Sequence, residues 1–101
     1  MEDIQIVQEF KRKVQRVYPD AEIYFYGSRV KRTHHDDSDY DLLVLLKKIN
    51  PVTRKTIYDI AWGIGYKYDA LIVPVLSRGD DFYPSSASPF FKNVKHHGML
   101  I

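Results

Sequence analysis

The pattern of apolar and polar positions divides the chain into six regular segments. Over residues 3 to 17, Ile4, Val7, Phe10, Val14 and Val17 recur at helical spacing, with Lys11, Arg12, Lys13, Gln15 and Arg16 on the remaining surface. This predicts an amphipathic helix with one buried stripe. Its basic second half suits the negative end of the helix dipole, and Pro19 ends it because proline cannot continue the hydrogen-bond ladder. Glu22 to Tyr26 alternates as a strand, with Ile23 and Phe25 on one face and Tyr24 and Tyr26 on the other. Gly27 and Ser28 break it. The polar stretch from Arg29 to Ser38 reads as a short helical turn followed by a loop.

Tyr40 to Leu46 is an almost continuous apolar run, the pattern of a central strand covered on both faces. Asn50-Pro51 is a helix start, with asparagine as N-cap and proline in the first turn. Ile57, Ile60, Ala61 and Ile64 mark the buried stripe of a helix over residues 51 to 64, with Gly63 or Gly65 as its C-cap. Tyr66 to Leu76 reads as a third strand with Asp69 buried inside it, and Pro74 points to an edge position or to the strand's end. Residues 77 to 87 read as a polar loop. Ser88-Pro89 opens a short helix carrying Phe90, Phe91 and Val94 and stopped by Gly98. The apolar tail Met99-Leu100-Ile101 is expected to bury in the domain's own core. Helix, strand, strand, helix, strand, helix predicts an α/β or α+β fold around a small mixed sheet, as one domain over residues 1 to 101.

Composition narrows the class. The chain has 101 residues, 15 basic and 13 acidic side chains, and a net charge of +2. That surplus is too mild for a dedicated nucleic-acid binder, so nucleic acid is not an expected partner. With no cysteine, disulfides and thiolate metal sites are excluded. No apolar stretch approaches the ~20 residues of a spanning helix, and no basic-then-apolar leader opens the chain. The expectation is a cytoplasmic domain with no membrane partner.

Three acids stand out because they sit at or inside apolar strand patterns. Asp39 and Asp41 are two residues apart, so on an extended strand they share a face while Tyr40 points away. Adjacent carboxylates repel unless a cation lies between them. If the strand carrying Asp69 is a neighbour, a third carboxylate joins them, and an all-oxygen set favours magnesium or manganese. The Gly27-Ser28 turn follows a strand directly, and its backbone N–H groups with the serine hydroxyl suit phosphate. Metal-holding carboxylates facing a phosphate-binding turn are the parts of a phosphoryl- or nucleotidyl-transfer site. By contrast, His34-His35 and His96-His97 lack zinc-site spacing and read as solvated side chains. Asp80-Asp81 reads as a solvated loop pair. Most of the eight tyrosines fall at core or surface positions, and Tyr24, Tyr26 and Tyr40 lie near the proposed site.

Gly27-Ser28, ten residues, then Asp39-Tyr40-Asp41 matches the G-S-x10-D-x-D signature of the DNA polymerase beta-like nucleotidyltransferase superfamily. G-S-R at 27 to 29 and D-S-D-Y-D-L-L-V at 37 to 44 resemble the minimal nucleotidyltransferases, and the likeness covers nearly the whole chain. It implies that Asp39 and Asp41 hold two magnesium ions, with manganese as an alternative. Asp69 would complete one site and help activate the attacking hydroxyl. Gly27 and Ser28 would hold the triphosphate of ATP, with Arg29 assisting. Two departures, Arg32 where many members have glycine and the His34-His35 pair, do not touch the metal motif.

No acceptor-binding segment is visible in the sequence. In the minimal nucleotidyltransferases the acceptor is a tyrosine of a helical HEPN-domain toxin, onto which AMP is transferred from ATP, so the resemblance implies an antitoxin role with a HEPN partner. Two other readings remain: a binding-only antitoxin acting by occlusion, and transfer to a small molecule or nucleic-acid end.

Overall fold

The computed structural model describes residues 3–27, 39–84 and 88–101. In chain order its elements are α1 (Asp3–Val17), β1 (Glu22–Tyr26), β2 (Tyr40–Leu46), α2 (Pro51–Tyr68), β3 (Ile72–Arg78), α3 (Gly79–Phe82), α4 (Pro89–His97) and β4 (Met99–Leu100). The strands form one mixed sheet in the order β3-β2-β1-β4. β1 runs antiparallel to both β2 and β4, whereas β2 and β3 are parallel, joined by the α2 crossover. The mixed α/β architecture is the one the residue pattern predicts.

Strand alternation sorts the core into two layers. Tyr40, Leu42, Val44 and Leu46 of β2 join Ile23, Phe25 and Ile72 beneath α1 and α2. Leu43 and Leu45 face the other way and pack with Phe82, Val94, Tyr24, Tyr26 and Phe91. β2 is therefore covered on both faces, which accounts for its apolar run from Leu42 to Leu46. Asp41 has the parity of Leu43 and Leu45, so it points to the face carrying α3 and α4.

Several boundaries differ from the sequence expectation. In α1 the buried stripe is Ile6, Val7, Glu9, Phe10 and Val14, while Ile4 and Val17 are exposed. α2 starts as expected, the Asn50 side chain accepting from the Thr53 N–H. It then runs past Gly63 and Gly65 to Tyr68, and neither glycine is its cap. Gly65 is needed because the chain folds back over it. Ala70 N–H donates to the Gly65 carbonyl at 2.9 Å, and a Cβ on Gly65 would overlap the Ala70 carbonyl oxygen. α4 starts at Ser88-Pro89 and stops at Gly98, as the sequence predicts. Within the expected 77-to-87 loop lies the short helix α3, fixed by the buried ring of Phe82. The tail adds β4 to the sheet edge. Met99 and Leu100 stay exposed, and Ile101 is only partly buried against the core.

Pro74 lies in β3, an edge strand, as its residue type requires. Because the Leu71 carbonyl accepts from Tyr40 N–H on β2, alternation turns the backbone of Ile72, Pro74 and Leu76 outward, away from the ladder. Among the described residues no helix is long and apolar enough to cross a membrane.

Candidate functional site

The site is built where β1 ends and β2 begins. The antiparallel register sets Tyr26 opposite Asp41, and Gly27 follows at φ +91, a conformation open to glycine and strained for other residues. A Cβ there would overlap Asp41 Oδ2 and stand 3.2 Å from its Cγ. Glycine is thus required twice, for its dihedral and for the space the carboxylate occupies.

Asp39 is exposed and Asp41 half-buried. Burial, and then the negative charge of Asp39, push the Asp41 carboxyl above the usual aspartate range. The pair is therefore electrostatically unfavourable as it stands, and a divalent cation would relieve it. The paired oxygen donors fit such an ion. Tyr26 is half-buried next to the pair, and burial together with Asp41 pushes its phenol up to about 12. Its ring meets Phe90 of α4 edge-on at 5.3 Å.

Asp69 is not where the pattern put it. It is the C-cap of α2, at φ 52 and ψ 50, exposed and ahead of β3 rather than buried within it. The apolar residues around it misled the reading, since Tyr66 to Tyr68 belong to the last turn of the helix. Among the described residues no three His, Cys, Asp or Glu side chains form a group able to hold a metal. Asp39 and Asp41 come together, then, without Asp69. Ser28, Arg29, Arg32, His34 and His35 lie outside the described residues. Of the three tyrosines near the motif, Tyr26 is the one the register sets opposite Asp41. Tyr40 is buried under α1, its hydroxyl donating to Asp3 Oδ1 at 2.7 Å, and Tyr24 packs on Phe82. His96 and His97 are exposed on α4. Arg78 pairs with Asp80 and Asp81.

Glu9 was not singled out in the sequence, yet it is a buried acid on α1 that accepts from the Tyr68 hydroxyl and from Lys67 Nζ at 3.1 Å. Its signal was its place in the stripe, between Ile6 and Phe10.

The mixed sheet thus sets a glycine turn against Asp41, with Asp39 just ahead of β2. The chain belongs to the nucleotidyltransferase domain family, whose model matches residues 4–88. It is 28% identical over 104 residues, covering all of both chains, to a Methanocaldococcus jannaschii protein named "Putative protein adenylyltransferase". Its fold is similar to a crystal structure of a toxin-antitoxin with AMP-PNP, at a TM-score of 0.62 and 24% identity over 90% of this chain and 68% of that one. It is similar too to a mutant of the toxin-antitoxin MntA-HpeT, at 0.61 and 22%, covering 100% of this chain and 72% of the other.

Proposed function

We propose that this nucleotidyltransferase transfers AMP from ATP onto a tyrosine hydroxyl of a partner protein, a HEPN-type toxin, and so acts as its antitoxin. The observation that carries the reading is the Asp39–Asp41 pair standing against Gly27 at one end of the sheet. The relative's name supports a protein acceptor, and the toxin-antitoxin assemblies that share the fold support the antitoxin role.

Asp39 and Asp41 would hold a magnesium or manganese ion, which would neutralise the pair and supply Lewis-acid chemistry. Gly27, with Ser28 and Arg29 next in the chain, would contact the triphosphate. The acceptor oxygen forms a bond to the α-phosphorus while the bond to the bridging oxygen of the β-phosphate breaks. Pyrophosphate leaves with that electron pair, and the hydroxyl proton passes to solvent. A phenol, with an ordinary pKa of about 10, is easier to ionise than an aliphatic alcohol.

The test is to incubate the protein with a co-expressed HEPN partner, ATP and magnesium, and to follow the partner's mass. One or more AMP increments on a tyrosine are expected, lost in Asp39→Asn and in Asp41→Asn. Full neutralisation of the partner by either variant would establish occlusion instead. Label appearing only on a small molecule or an RNA end would move the acceptor to that class.

A further inference from the structure

The carboxylate pair has a strand on either side, and the two sides differ in chemistry. On the β1 side stand Tyr26 and Gly27. On the β3 side, the parallel register sets Asp41 opposite Val73, and Tyr40 N–H donates to the Leu71 carbonyl at 2.9 Å. Side chains alternate along a strand, so Leu71, Val73 and Val75 share the face of Asp39 and Asp41. Each position from which β3 would reach an ion between the two acids is aliphatic. Asp69 lies upstream of that strand, its backbone committed to the left-handed cap of α2.

Two carboxylates balance one divalent ion. We infer that Asp39 and Asp41 hold a single divalent ion, and that Val73 occupies the place where a second ion would need its carboxylate. This departs from the two-ion, three-aspartate set that the family resemblance implies. It rests on the nucleotidyl-transfer reading for the ion's use. The ion count does not depend on which acceptor is used, so a failed acceptor reading would leave it unmoved.

Manganese titration of the full chain, followed by electron paramagnetic resonance, tests the count. The chain is first saturated with an ATP analogue that cannot be cleaved between the α- and β-phosphates. One bound ion per nucleotide-loaded chain is expected. Its affinity should fall in Asp41→Asn and stay unchanged in Asp69→Asn, where asparagine suits the left-handed backbone. Val73→Asp should raise the count to two, with circular dichroism checking its fold. If that variant misfolds, the wild-type and Asp69→Asn counts still decide. Two ions in the wild type, none at all, or an ion lost in Asp69→Asn would each overturn the inference.

Discussion

The backbone of Gly27 and the carboxylate of Asp41 occupy adjoining space: a side-chain carbon on the glycine would stand 3.2 Å from Asp41 Cγ and overlap its outer oxygen. The turn that would meet phosphate and the acid that would meet metal are therefore one mechanical unit. Moving either displaces the other.

Gly27→Ala tests this coupling. The positive φ alone should cost on the order of 1–2 kcal/mol with a side chain present, and the overlap with Asp41 adds to it. Urea denaturation should show a lowered midpoint at unchanged slope. Nucleotidyl transfer should fall further than stability does, because the carboxylate must swing out of place.

Asp41 should give the metal-free protein a pH dependence. Its folded-state carboxyl titrates above the ordinary 3.8, so its stabilising contribution is complete below that value and fades as pH rises through the folded pKa. Thermal melts from about pH 4 upward should show this loss, removed in Asp41→Asn. Magnesium or manganese should raise the wild-type melting temperature at neutral pH and leave that of Asp41→Asn unchanged.

Glu9 has the opposite sign. The Tyr68 hydroxyl, then Lys67 and Lys13, outweigh its burial and hold its carboxyl below the ordinary 4.5. The stability it contributes is present above that value and lost as pH falls through the lowered pKa. Tyr68→Phe removes one donor from a buried acid and should cost about 1–3 kcal/mol at neutral pH. Much of the acid-side slope should go with it, as read from denaturant midpoints.

Asn50 caps α2 through Thr53, whose N–H and hydroxyl both donate to the Asn50 side-chain oxygen at 2.9 and 3.0 Å. Asn50→Ala should cost about 1 kcal/mol, whereas Asn50→Ser should retain most of the stability. Chemical denaturation of the two variants measures the difference.

What the residue pattern revealed, and where it stopped, follows from range. The cap pairs Asn50-Pro51 and Ser88-Pro89 are local signals, and both helices begin there. The double-sided run of β2 and the acidic pair before it are local as well. Asp69 is misread as a strand residue because two tyrosines spaced two apart, Tyr66 and Tyr68, at the end of a helix look like the start of a strand. Only the closing of the chain over Gly65 decides between them. β4 was missed because two residues carry no period, and its pairing with Tyr24 and Phe25 is entirely non-local. The apolar face that β3 shows Asp41 becomes visible only when the register sets Val73 beside it.

Pro74 has a consequence for how copies of this molecule meet. A free sheet edge invites a foreign strand, and growth by such pairing is a common route to aggregation. On the outward-facing side of β3, Pro74 leaves one rung without a donor, so an incoming strand would find its hydrogen-bond ladder interrupted midway. At this margin of the sheet a missing hydrogen supplies the protection.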